Sequence, residues 1–295
     1  MVFLWAAGTL VSMCSFRKFY FPWAARLLLP NVRRTAALSF FLGLSACSMP
    51  HLQDAAPLRQ EQGRGVQADV QTSTQAPLVA SVELSSSEQA AWQPMHLPGK
   101  RKTHFSHRFY KGRHAVEASA NSSVSVFRRS LHVPPNELAA LKFSWYVPSL
   151  IKTADMAQRD LDDSPVRFVL SFAGDRSRFS SKNRMLSDLS QALTGEELPY
   201  ATLMYVWCNQ RAVGSIITNP RTDRIRKMVV ETGSGKLGQW LDYERDIRAD
   251  FIKAFGEEPG ALTGIALMTD TDNTQSKATA WYGPVSLVSR NAVAP

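Results

Sequence analysis

Read for its alternation of apolar and polar positions, the chain changes character at Trp92. Upstream, residues 48–91 are rich in Gln, Ala, Ser and Pro, carry scattered single charges and hold no aromatic residue. Such a composition buries too little apolar surface to offset the entropy of ordering, so a flexible tether is expected there. Downstream, short β-forming stretches recur as far as Val288. Thr103–Tyr110, His114–Ala120 and Ser123–Leu131 are separated by the turn signals Gly112 and Asn121-Ser122. Leu141 to Val147 alternates for most of its length, which puts Leu141, Phe143, Trp145 and Val147 on one face of a strand. Val166–Phe172 is apolar almost throughout, and Leu203–Trp207, Ile225–Glu231, Gly264–Met268 and Ala278–Val288 follow at the spacing of a β-sandwich.

Two segments change period. Ser181–Leu193 sets Met185, Leu186, Leu189 and Leu193 at helical spacing after a Ser cap. Asp246–Phe255 does the same with Ile247, Phe251, Ile252 and Phe255, and Gly256 is its stop signal. The reading is an all-β-dominated chain: one antiparallel, jelly-roll-like β-sandwich over residues 92–290 with two short helices. A leader (1–46) and a lipidated cysteine with a flexible linker (47–91) precede it.

Charge separates the leader from the domain. The chain of 295 residues has 34 Lys+Arg and 25 Asp+Glu, a surplus that in a uniform globule would suggest nucleic acid. It is not uniform. Residues 1–46 hold Arg17, Lys18, Arg26, Arg33 and Arg34 and no acid, whereas bases and acids are equal in number from Val133 onward. The remaining surplus lies in a strip around Lys100-Arg101-Lys102, Arg108, Lys111, Arg113, Arg128 and Arg129, next to the tether, which is a solvated face or, near a bilayer, a contact for anionic headgroups rather than for nucleic acid.

Arg33-Arg34, the apolar run Ala36–Leu44, small residues and then Cys47 follow the order of a secretory signal. The run is too short for a membrane span, which takes about 20 residues. Leu44-Ser45-Ala46-Cys47 resembles the lipobox of bacterial lipoproteins, which implies a lipid anchor on Cys47. Ser48 resembles the signal that sorts such proteins to the outer membrane. Translation starts at Met1 or at Met13. With Cys14 lost in the leader and Cys47 acylated, Cys208 has no disulfide partner, so an apolar core must supply the stability.

Enzymatic signatures are thin. There is no Gly-x-Ser-x-Gly elbow, no phosphate-binding glycine loop and no zinc spacing. Glu244-Arg245-Asp246 resembles part of the acidic core of laminarinase-like glycosidases, but Arg248 and Ala249 stand where the third acid belongs. The densest polar group is Asp270-Thr271-Asp272-Asn273, which either closes a turn with side-chain-to-backbone bonds or offers its oxygens to a hard cation such as a structural calcium, with Asp270 and Asp272 as ligands. It is not an EF-hand loop, because Gln275 and Trp281 replace its glycine and bidentate Glu. Arg167 sits inside an apolar strand and needs a carboxylate, for which Asp163 or Asp270 is the natural partner. The many aromatic residues, Trp207 and Trp240 among them, are core or a stacking shelf for sugar rings.

Asp162-Asp163-Ser164-Pro165-Val166-Arg167, Tyr205-Val206-Trp207, Gly233 to Trp240, Asp250-Phe251 with Phe255-Gly256, and Met268 to Asn273 together resemble the family of domain of unknown function 3047. The resemblance covers Trp92 to Val288 and implies an exported bacterial protein with a jelly-roll sandwich. It implies no activity and no catalytic residue. Cys208 departs from the pattern. The resulting expectation is an outer-membrane lipoprotein that binds a cell-envelope or extracellular glycan without enzymatic action, with Trp207, Trp240, Asp163, Arg167, Asp270, Asp272 and Asn273 as the ligand region. The alternatives are a glycan-acting hydrolase using Asp163, Asp270 or Asp272, and an envelope scaffold that binds another protein.

Overall fold

A computed structural model of the protein describes residues 78–80 and 91–289. The leader, Cys47 and the rest of the tether lie outside them. Thirteen strands occur among the described residues: β1 (Leu78–Ala80), β2 (Gln93–His96), β3 (His104–Tyr110), β4 (Arg113–Asn121), β5 (Val124–Val133), β6 (Leu138–Tyr146), β7 (Ser164–Phe172), β8 (Ala201–Cys208), β9 (Ile216–Thr218), β10 (Ile225–Thr232), β11 (Trp240–Asp246), β12 (Leu262–Asp270) and β13 (Lys277–Ser289). The helices are α1 (Ser181–Thr194) and α2 (Ile247–Phe255). Both are capped by local chemistry. Ser180 and Asp246 accept the first free N–H groups of α1 and α2, and Gly256 ends α2 in the left-handed conformation (φ 71°) that glycine adopts without strain.

One sheet runs in the order β11-β6-β13-β4-β3, with β1 added to β13 beyond the end of β4; the other runs β2-β5-β12-β7-β8-β10-β9. Alternation decides what lies between them. Phe143 on β6 meets Phe168 on β7 and Tyr205 on β8, while Leu141, Trp145, Tyr282 and Leu287 fill the same interior. The far side of the seven-stranded sheet is apolar too. Val169, Met204, Val206, Ala266 and Met268 are covered there by Leu186 of α1 and by Met156 and Leu198 from loops. Strands β7 and β8 therefore bury both faces, which explains why they read as nearly unbroken apolar runs. The third layer is tied down at its edge by Asp155, whose carboxylate binds Arg211 at 2.5 Å and is thereby drawn down to about 2.

Four features differ from the sequence-based expectation. Strands β8 and β10 are parallel: β9 takes the sheet edge beyond β10 and pairs with it antiparallel, so β10 returns in the direction of β8. The tether is not featureless, because Leu78–Ala80 pairs with β13. The buried face of α1 is Asn183, Leu186, Ser187 and Ser190, leaving Met185 60% exposed. The polar Asn183 belongs inside because Thr222 and Asp223 bond its side chain. Edge strand β11, with its half-exposed pattern, gives no apolar run to detect.

Candidate functional site

Two groupings carry chemistry. The first is a buried ionic network on the covered side of the seven-stranded sheet. Arg167 of β7 and Lys227 of β10 point into that layer, and the loop before β7 brings Asp162 down on both. The Lys227 ammonium lies 2.6 Å from each Asp162 oxygen, and Arg167 donates to the Asp162 carboxylate (3.1 Å) and carbonyl (2.7 Å). Asn219 adds a donor at 3.2 Å. Burial pushes the Lys227 ammonium down to about 8 against the pull of Asp162. Burial likewise weighs against charge on Arg167, but Asp162, Asp270 and Asp163 more than offset it.

Asp163, next in sequence, points elsewhere. Its carboxylate accepts the backbone N–H groups of Asn273 (3.2 Å) and Thr274 (2.7 Å) and the Thr274 hydroxyl (2.5 Å), clamping the β12–β13 loop to the β7 entry. Asp270 and Asp272 complete the group. A carboxylate oxygen of each of Asp163, Asp270 and Asp272 lies within 4.8 Å of the other two. Asp270 is 3.3 Å from Arg167, and Asp272 binds Lys100 at the rim. Burial drives the Asp270 carboxyl well above the usual carboxylate range, and Asp163 and Asp272 add to that against Arg167.

The second grouping is on the outer face of the six-stranded sheet, which no layer of described residues covers as α1 and the loops cover the other sheet. Register places Trp240 (β11), Tyr146 (β6), Trp281 (β13) and Glu117 (β4) in one cross-strand row. Tyr110 of β3 stacks flat on Trp281, with ring centroids 3.9 Å apart. Trp240 and Tyr110 are half-buried and lean on the more buried Tyr146 and Trp281. Lys111 donates to the Tyr146 hydroxyl at 2.5 Å, and Trp281 donates to Glu117 at 3.2 Å.

Beside this row is an open depression of about 630 Å³, lined among others by Arg113, Lys142, Ser144, Asp242, Glu244 and Ser286. Arg113 lies 5.1 Å from the Trp240 ring and forks onto Asp242 at 2.5 and 3.0 Å, reaching across the two strands between β4 and β11. Gly283 and Ser144 keep the middle of the face low. A Cβ on Gly283 would come 2.2 Å from Ser144 Oγ and 3.3 Å from the Trp240 ring.

Residues 90–286 match the model of the family described as "Protein of unknown function (DUF3047)". The chain belongs to this family. A comparison with curated proteins found no match. Among solved structures, the DUF3047 chain overlaps the xyloglucanase domain of NopAA, a type three effector from Sinorhizobium fredii in complex with cellobiose. That overlap has 8% identity and a TM-score of 0.35, over 65% of this chain and 90% of that one. It overlaps Trichoderma harzianum endoglucanase 3, of family GH12, at 7% identity and a TM-score of 0.37, covering 68% and 91%. It also overlaps the mannan-recognising carbohydrate-binding module TmCBM27 at 10% identity and a TM-score of 0.31, covering 72% and 98%. Likeness at this level assigns neither a ligand nor an activity.

Within the DUF3047 domain, the residues expected to form one ligand region divide between these groupings. Trp207 is a correction: it is 1% exposed, packs near Trp145 between the sheets and donates its indole N–H to the Gly233 carbonyl, so no ring face is left for a sugar. Asp163, Arg167 and Asp270 are equally buried, Arg167 against Asp270 and Asp163 against the β12–β13 loop, and none opens onto a groove. That also removes Asp163 and Asp270 as catalytic carboxylates toward a polymeric substrate, and Asp272, only 7% exposed, already binds Lys100. Asn273 is half-exposed at the rim of the ionic group, where its side chain donates to the Arg159 carbonyl. Only Trp240 lies on the open outer face, with Tyr110, Tyr146, Trp281, Arg113 and Asp242, none of which was singled out as a ligand residue. The Glu244-Arg245-Asp246 triplet serves three separate ends. Glu244 faces Lys142, Arg245 forks onto Asp250, and Asp246 caps α2. Asp162, not Asp163, is the main partner of Arg167, with Asp270 second.

Proposed function

We propose that the protein is an exported lipoprotein, held to the outer membrane through Cys47, that binds a cell-envelope or extracellular glycan on the outer face of its six-stranded sheet. The observation that carries the glycan reading is the juxtaposition of the Trp240–Tyr146–Trp281 row and Tyr110 with the depression lined by Arg113, Asp242, Lys142 and Glu244. A pyranose ring offers an apolar C–H face to an aromatic ring and a belt of hydroxyls to paired charges, and this face supplies both. Half-exposed Trp240 and Tyr110 are the contact rings; Tyr146 and Trp281 form their bed. The Arg113–Asp242 pair then acts as a fixed donor–acceptor set for sugar hydroxyls.

The test is a glycan array probed with the leaderless chain beginning at Ser48, which keeps β1 on the sheet. Trp240→Ala is expected to weaken any array ligand by about tenfold, since an aromatic contact contributes roughly 0.5–1.5 kcal/mol beyond its buried area. A folded, monodisperse chain that binds nothing on the array, or a Trp240→Ala variant that binds as well as the parent, would refute the glycan reading.

Anchoring rests on the lipobox-like tetrad before Cys47. Cys47→Ser is expected to shift the protein from the membrane fraction to the soluble one and to block processing, read by fractionation and by the mass of the chain. A variant that stays equally membrane-bound and equally processed rules the anchor out.

A further inference from the structure

We propose that Asp163, Asp270 and Asp272 form a binding site for a hard divalent cation, calcium, which ties the entry of β7 to the β12–β13 loop. Three buried carboxylates converge there with an oxygen of each within 4.8 Å of the others. Their hydrogen bonds do not satisfy them equally. Asp163 is held in place by three neutral donors from Asn273 and Thr274, which orient it without cancelling its charge. Asp272 has a side chain only 5% exposed; its Oδ2 takes the Lys100 ammonium, and its Oδ1 receives no hydrogen bond. Asp270 Oδ2 receives none either and has only the 3.3 Å approach of Arg167, whose shorter contacts go to Asp162.

Buried carboxylate oxygens without donors are costly, and a cation among them removes that cost. The neighbouring cations are Arg167, Lys227, Lys100 and Arg221, the last within electrostatic reach of Asp162 and Asp272. Lys227 is committed to both oxygens of Asp162, and Lys100 sits at the rim with its side chain 16% exposed. The donor set is oxygen alone, which selects a hard ion over zinc or copper. The three ligands come from the loop before β7, the end of β12 and the loop after it, and half-exposed Asn273 beside them leaves a way in for water. That suits the irregular six to eight oxygens of calcium better than the strict octahedron of magnesium. A bound ion would add to the Asp163 clamp between the β7 entry and the β12–β13 loop.

The experiment uses the full chain in detergent, stripped with chelator, and titrates it with CaCl2 by calorimetry while unfolding is followed by heat. One ion per chain is expected, with a melting temperature that climbs with calcium concentration as mass action requires. Asp272→Asn should fold and bind at least about tenfold more weakly, as loss of a ligand is no milder than loss of an outer partner. A stripped, folded wild-type chain that takes up no calcium and shows no thermal shift at millimolar CaCl2 overturns the site. Unchanged affinity in Asp272→Asn overturns its location. Tighter uptake of magnesium than calcium overturns the choice of ion. None of these readouts involves a glycan, so the result stands apart from the fate of the sugar platform.

Discussion

Replacing Asp162 by Ala should cost about 3–5 kcal/mol of folding stability, the penalty for leaving a buried counter-charge without its partner. The carboxylate is fully buried and serves two cations at once, Lys227 at 2.6 Å on both oxygens and Arg167 at 3.1 Å. Without it, Lys227 keeps the Met156 carbonyl at 2.9 Å as its hydrogen-bond acceptor, and Arg167 is left to Asp270 and the Asp162 carbonyl. Burial already pushes Lys227 down to about 8 with Asp162 present, so its charge depends on that partner. For a domain of this size the loss corresponds to a fall in melting temperature of roughly 6–20 °C. Lys227→Met should cost less, because Asp162 would retain Arg167 and the Asn219 amide. Denaturant unfolding of the two variants decides the matter. If Asp162→Ala is as stable as wild type, or milder than Lys227→Met, the network is not what holds the loop before β7 to the sheet.

The same network shows what a single sequence can and cannot disclose. Arg167 stands out because Val166–Phe172 is otherwise apolar but for Ser171, and a cation there demands a partner. Equal attention to Lys227 between Ile225 and Val230 would have found the second cation by the same logic. Choosing between Asp162 and Asp163 is another matter. Adjacent residues on an extended segment point to opposite sides, and only the packing of the loop decides which side meets the sheet. The interior strands were legible because β4, β6 and β13 alternate against one core. Strands β2, β9 and β11 were not, because they are half-solvated edge strands without an apolar period, whereas edge strand β3, equally solvated, was read from its β-forming residues and the Gly112 turn. Trp240 and Trp281 illustrate the cost of missing β11: without that strand, the row they share through Tyr146 cannot be drawn.

Trp207→Ala should be the second large loss, about 3–5 kcal/mol, and it separates core from binding surface. Every residue of β8 is buried, so alternation along Ala201–Cys208 gives no hint of which face meets the other sheet. The structure turns Trp207 toward Trp145, with ring centroids 6.5 Å apart, and satisfies its indole with the Gly233 carbonyl at 2.9 Å. Truncation therefore opens a cavity between the sheets and leaves that carbonyl without its donor. Trp207→Phe keeps most of the volume and loses chiefly the hydrogen bond, at about 1–3 kcal/mol. The two variants should rank in that order in chemical denaturation. Trp207→Phe should bind any array ligand as wild type does, whereas Trp240→Ala should bind it weakly while remaining close to wild type in stability. The reverse pattern, binding lost in Trp207→Phe with stability intact, would place the sugar at the inter-sheet end of β8 and remove the outer face of the six-stranded sheet from consideration.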